Sequence, residues 1–172
     1  MLASKKLVTA VNRQIGNEFG ASLQYVSIAS YFSSRALTGL ARFFYRQADE
    51  ERDHAMKFVH FVVDSDGQLE IPDIPAPRSS FESASDAVSL ALEWEKEVTQ
   101  QIYGLVEIAT KDANYIAVRF LDWFVNEQFE EVNTMSQLLQ VVELAGDGGL
   151  LHVEEFLARE GSNFPPDEGG AP

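Results

Sequence analysis

The chain has 172 residues, 45% of them hydrophobic with 12 Phe, and a formal net charge of −14. These values describe one globular domain with a sizeable core, and they exclude a disordered chain. The acidic balance argues against a nucleic-acid partner, which needs a basic face, and the absence of Cys excludes disulfides, thiolate metal sites and iron–sulfur clusters.

The N-terminal stretch Met1 to Lys6 leads straight into an amphipathic pattern. It lacks the apolar stretch of a signal peptide, and no apolar run reaches membrane-spanning length. The expectation is a cytoplasmic protein with no membrane partner. A first helix is expected from about Ser4, as N-cap, to about Arg35. Val11, Glu18, Tyr25 and Phe32 recur at intervals of seven within it, flanked by Leu7, Ile15, Ser22 and Ala29. Leu37-Thr38-Gly39 breaks the pattern tightly, so the second helix turns back antiparallel. It runs from about Leu40 to Ser65 and stops at Asp66-Gly67. Its inward stripe is Leu40, Phe44, Gln47, Glu51, His54, Phe58 and Phe61.

Residues 68–80 form a connection in which Pro72, Pro75 and Pro77 forbid helix. At ~3.3 Å per residue this stretch reaches about 43 Å. A 28-residue helix is about 42 Å long. The connection can therefore run the length of a bundle and leave the second and third helices parallel, a bundle with one long crossover. The third helix starts after Ser83/Ser85 and runs to about Thr110, with Val88, Leu92, Glu95, Thr99, Ile102, Val106 and Ala109 inward. A short break at residues 111–114 precedes the fourth, from about Tyr115 to Ala145. There Ala117, Phe124, Glu131, Leu138 and Ala145 recur at sevens, beside Leu121, Gln128, Met135 and Val142. After a Gly-rich stop comes a short fifth helix, Leu150 to about Arg159, which needs docking to be stable. Residues 1–160 thus form the folded unit, and the Gly- and Pro-rich tail 161–172 reads as flexible.

Each long helix carries a Glu in its core stripe, close to its midpoint: Glu18, Glu51, Glu95 and Glu131. Glu51 and His54 are three apart and share a helix face. A single Glu on an inner stripe is usually explained by a helix rotated slightly toward solvent. Four at matched height are not easily explained that way. Converging carboxylates repel unless they take up protons or bind divalent cations. Oxygen-rich ligation with one imidazole suits Fe or Mn better than Zn or Cu, and four Glu with a His can hold two metals. On spacing alone Tyr25 and Trp123 read as packed core, Met56 and Met135 as core fillers, and His60 and His152 as surface residues. Glu50, Glu127 and Glu130 read as a solvated acidic face.

Asn17-Glu18-Phe19, Glu50-Glu51-Arg52-Asp53-His54, Glu95 with Val98-Thr99-Gln100-Gln101-Ile102, and the run Asp122 to Glu131 resemble bacterial non-haem ferritin. The resemblance runs from about residue 5 to 160. It implies an all-α, ferritin-like four-helix bundle with one long crossover and a short fifth C-terminal helix. It also implies a ferroxidase that oxidises Fe(II) with O2 or peroxide and deposits ferric mineral inside a homo-oligomeric shell of 24 subunits. One iron would be held by Glu18, Glu51 and His54. A second would be held by bridging Glu51 with Glu95 and Glu131, with Gln128 nearby. Glu50, Glu127 and Glu130 match a third, outer iron position found in some members. Tyr25 and Trp123 match aromatic positions that can supply an electron.

Two departures carry expectations. Arg52 stands where bacterioferritins have their haem-ligating Met, and Gln128-x-x-Glu131 replaces their second Glu-x-x-His, so no haem is expected. Val118 and Leu121, with Asp122 adjacent, stand where many ferritins line their three-fold pores with acidic residues. The alternatives from other classes are a structural helical assembly subunit and a di-iron or di-manganese oxidase without storage. A DNA-protecting mini-ferritin is disfavoured by the charge.

Overall fold

The structure is a computed structural model and describes residues 2–160. The reading of the tail falls on 161–172, outside the described residues. Four long helices are present: α1 (Lys5–Ser33), α2 (Thr38–Asp64), α3 (Ala84–Lys111) and α4 (Tyr115–Ala145). A single 3-10 turn (Asp147–Gly149) leads into α5 (Leu150–Glu160). Helix starts follow side-chain chemistry. Ser4, Ser83 and Asn114 each accept a hydrogen bond from the backbone N–H three residues on, satisfying one orphan donor of the first turn.

α2 has no such residue, because Leu37 stands at its N-cap. The Glu154 carboxylate of α5 substitutes, accepting from the backbone N–H of Gly39 at 2.6 Å and of Leu40 at 2.9 Å. A Cβ at Gly39 would lie 3.0 Å from that carboxylate, so this glycine gives the cap its room.

Two stop signals differ from the expectation. Gly39 lies inside α2, and the turn is made by Ala36 at φ 59°. At the end of α2 the left-handed residue is Asp66, not Gly67. Both turns close by returning the following N–H to a carbonyl five residues back, Leu37 to Phe32 and Gly67 to Val62, and Asn114 does the same to Ala109 after α3. These carbonyls would otherwise be orphaned, and satisfying them offsets the roughly 1–2 kcal/mol cost of a non-glycine left-handed residue.

The crossover travels beside α1 and in its direction. Asn12 Nδ2 donates to the Gln68 carbonyl, a Cβ at Gly16 would strike Pro72, and Gln24 exchanges two hydrogen bonds with the Arg78 backbone. The chain therefore returns to the end where α2 began, and α2 and α3 run parallel. Two apolar clusters show the same arrangement. One joins Tyr25–Phe32, Leu37–Ala48, Phe81–Leu92 and Met135–Val142 with Val153 and Leu157 of α5. The other joins Ala3–Ile15, Phe58, Val62, Val98–Ala109 and Ala117–Phe124. Between them lies a polar layer.

Candidate metal centre

The polar layer consists of side chains from all four long helices at one height. Glu18, Glu51, His54, Glu95, Gln128 and Glu131 are all buried, none exposing more than 5% of its surface. The explanation by helices rotated toward solvent fails for every one of the four glutamates. Each helix enters this layer for the same local reason: the seven-residue stripe that carries Val11, Tyr25 and Phe32 inward also carries Glu18 inward.

Ligand atoms of Glu18, Glu51 and His54 lie within 4.8 Å of one another, and so do those of His54, Glu127 and Glu131. His54 belongs to both groups. Its Nδ1 is 3.5 Å from Glu51 Oε2 and its Nε2 is 3.7 Å from Glu127 Oε1. The ring sits edge-on to Trp123 and Phe124, above the Phe58–Phe124 stack. Glu95 is held on the opposite side. Tyr25 donates its phenol hydrogen to Glu95 Oε1, and Gln128 Nε2 donates to Glu95 Oε2 and to its backbone carbonyl, both at 3.2 Å. Two carboxylate oxygens, Glu18 Oε2 and Glu131 Oε2, are buried with no hydrogen-bond partner. Buried acceptors left unpaired are costly and call for a cation or a proton.

The titration behaviour follows from this crowding. Burial pushes Glu51 and Glu131 well above the usual carboxylate range, and the neighbouring Glu95 charge adds to it in both. Burial also raises Glu95, to about 7, against the lowering effect of its bonds from Tyr25 and Gln128. Burial alone would lower His54, but the close Glu127 carboxylate and the charges of Glu18 and Glu131 outweigh that and leave it raised. Tyr25 is raised far above 10, first by burial and then by the Glu95 charge, so it stays a neutral donor. The site therefore holds protons, and a divalent cation bound there would displace them, coupling its binding to proton release.

Of the outer residues, Glu50 and Glu127 are half-buried and Glu130 is exposed. Gln47 donates to Glu50, whose carboxyl burial raises. Glu50 and Glu127 thus border the centre and are more than a solvated face. Trp123 is 39% exposed instead of core, with the Lys57 ammonium 4.3 Å from its ring centroid. Its position at the helix edge next to Phe124 lets the indole cover His54 while one face stays wet. Met56 is half-buried, Met135 is fully buried, and His60 and His152 are exposed. Leu121 is 1% exposed within the apolar cluster, and only Asp122 of the aligned pore positions is well exposed.

Spacing did not single out Gln14, and it read Thr99 only as part of the inward stripe of the third helix. Gln14 Nε2 donates to Glu18 Oε1 at 2.9 Å, and Thr99 donates to the Glu95 carbonyl at 2.8 Å. The available signal was the four-residue step to each glutamate, which places both on the ligand's own helix face.

Among known proteins, the Ferritin-like domain family matches residues 8–145. The chain is 41% identical over 167 residues to Ferritin BfrB of Mycobacterium tuberculosis (strain ATCC 35801 / TMC 107 / Erdman), covering 97% of this chain and 91% of that protein. It is 36% identical over 146 residues to the bacterial non-heme ferritin of Staphylococcus haemolyticus, covering 85% and 88%. An open pore ferritin from the hyperthermophilic archaeon Archaeoglobus fulgidus superposes with a TM-score of 0.87 at 34% identity, covering 91% of this chain and 97% of that one.

Proposed function

The chain belongs to the ferritin family, and on that premise we propose that Fe(II) binds as substrate at a di-iron centre in the polar layer. Iron storage with ferroxidase chemistry is its function. The observation that supports the first iron position is the cluster of Glu18, Glu51 and His54, with its orphaned Glu18 oxygen; Glu131 clusters instead with His54 and Glu127, Glu95 lies in neither cluster, and the second position rests on the resemblance. Glu18, Glu51 and His54 hold the first iron. Glu51 bridges to the second, which Glu95 and Glu131 complete, with Gln128 fixing Glu95. Glu50, Glu127 and Glu130 form the outer iron position, and Tyr25 and Trp123 are the nearby aromatic electron sources.

Oxygen donors suit Fe(II) and suit Fe(III) better, so four carboxylates favour the oxidised product and drive the reaction forward. Two Fe(II) each give one electron. O2 takes the pair with two protons and leaves as hydrogen peroxide, and peroxide can itself serve as oxidant. The protons released from Glu51, Glu95, Glu131 and His54 on iron binding stay within reach of the reacting oxygen. The apolar clusters on either side exclude bulk water from the layer.

Storage requires a hollow assembly, proposed as a shell of 24 chains in the cytoplasm. The exposed large apolar residues suit buried contacts between copies, among them Leu144 at 89%, Phe129 at 78% and Tyr115 at 77% exposed. No helix among the described residues is long and apolar enough to cross a membrane.

Anaerobic Fe(II) titration of metal-free protein, followed by mixing with air, tests this reading. Wild type should saturate at about two or three Fe per chain and then oxidise them rapidly. Glu51→Ala should slow that first oxidation by about 100-fold or more, beyond what loss of a merely supporting residue costs. Its shell should stay intact by sedimentation. Unchanged fast oxidation in Glu51→Ala would remove the bridging assignment.

A further inference from the structure

The two sides of the polar layer are held in place differently. Glu95 is gripped by Tyr25 and Gln128, both in the layer itself. Glu18 is gripped from outside it, through a chain of amides reaching another helix. Gln14 Nε2 donates to Glu18 Oε1 at 2.9 Å, and Gln14 Oε1 accepts from Asn17 Nδ2 at 3.4 Å. Asn17 Nδ2 also donates to Gln101 Oε1 on α3 at 2.9 Å. Gln14 is 2% exposed, so its amide has no water to exchange with, while Asn17 and Gln101 are half-buried.

We infer that Gln14 is a positioning residue for iron binding, fixing Glu18 through Oε1 so that Oε2 is presented to the first iron, with Asn17 and Gln101 holding Gln14 against α3. This rests on the proposed assignment of Glu18 as a ligand. Three observations converge on it. Glu18 has one oxygen occupied and the other, Oε2, buried without a partner. The gripping group is a neutral amide. A Lys or Arg there would satisfy the same oxygen but add a positive charge beside a cation site. The amide chain ends on α3, so the grip on Glu18 is anchored on a second helix, while Glu95 keeps its own separate bonds from Tyr25 and Gln128.

The probe is Co(II) alone, titrated anaerobically into the metal-free shell and read by its visible absorbance, with thermal unfolding measured alongside. Wild type should fill two sites per chain. Gln14→Met keeps the length and removes the donor. It should weaken the site containing Glu18 about 10-fold and leave the site containing Glu95 unchanged. Asn17→Ala truncates a half-buried side chain, and it should weaken the same site to a smaller degree. The Asn17→Ala shell carries the test if Gln14→Met does not fold. Wild-type affinity at both sites in the variants would overturn the positioning role. So would equal weakening of both sites in step with a fall in melting temperature. A wild-type shell that never saturates with Co(II) would instead overturn the metal-site assignment itself, and the role of Gln14 with it.

Discussion

The two apolar ends of the bundle and the polar layer between them occupy the same stripes of the same four helices. Val11, Glu18, Tyr25 and Phe32 share one stripe, and all four are 0–1% exposed. At the ends, burial stabilises directly: Phe58 stacks on Phe124 with ring centroids 4.1 Å apart, and Phe32 on Phe44 at 5.7 Å. In the middle, the same burial raises the energy of every charge it encloses. Fully burying an aliphatic or aromatic side chain contributes about 1.5–3 kcal/mol. Enclosing like charges without counter-ions costs energy and forces protonation. The ends therefore hold the helices at the spacing that the middle would not choose for itself. A site that is uncomfortable when empty favours whatever cation relieves it.

This contrast can be broken first at an end. Phe58→Ala removes a fully buried ring from the apolar cluster that Ala3–Ile15 and Phe124 share, and should cost about 3–5 kcal/mol of stability. Chemical denaturation of the metal-free protein measures this. A loss under 1 kcal/mol would mean the clusters do not carry the fold.

The middle responds to pH with the opposite sign from ordinary acid denaturation. Glu95, Glu51 and Glu131 have folded values raised above the ordinary 4.5, so the folded state binds more protons than the unfolded chain as pH rises through that range. His54, raised above 6.5, acts in the same direction. Metal-free protein should therefore lose stability from about pH 4.5 upward, through about pH 7 for Glu95, worth about 3 kcal/mol taken alone, and on to higher pH for Glu51, Glu131 and His54. Saturating divalent metal should remove this slope, because the metal takes the place of the protons. Melting temperatures across that pH range, with and without Co(II), decide it, and identical profiles would contradict the crowding of charges.

The smallest effect is expected outside both regions. Glu154→Ala removes the cap that α5 lends to α2 and should cost about 1 kcal/mol. Hydrogen exchange at Gly39 and Leu40 should rise while Co(II) binding stays unchanged. A changed metal affinity would show that α5 communicates with the polar layer.

Most of the helical frame was legible in the residues. Seven-residue spacing, the caps Ser4 and Ser83, and the prolines of 68–80 are local signals, and each acts within a turn or two of itself. The four core glutamates were legible for the same reason: their position in each stripe settles which way they face once the helices pack. Other features depended on the packed arrangement. Ala36 and Asp66 took the left-handed positions beside available glycines, because closing the carbonyls of Phe32 and Val62 set the turn. Trp123 looked like core by spacing and sits at an edge, since only the neighbouring helix decides how much of a flanking position is covered. Gln14 had the right spacing to Glu18, but its amide became a grip only when α3 brought Gln101 to Asn17. The sequence by itself determined the helices and which residues turn inward, since periodicity is a local property. Tertiary structure decided which oxygens are held, which are left unpaired and how far each carboxyl is raised, since those depend on distances between helices remote in the chain.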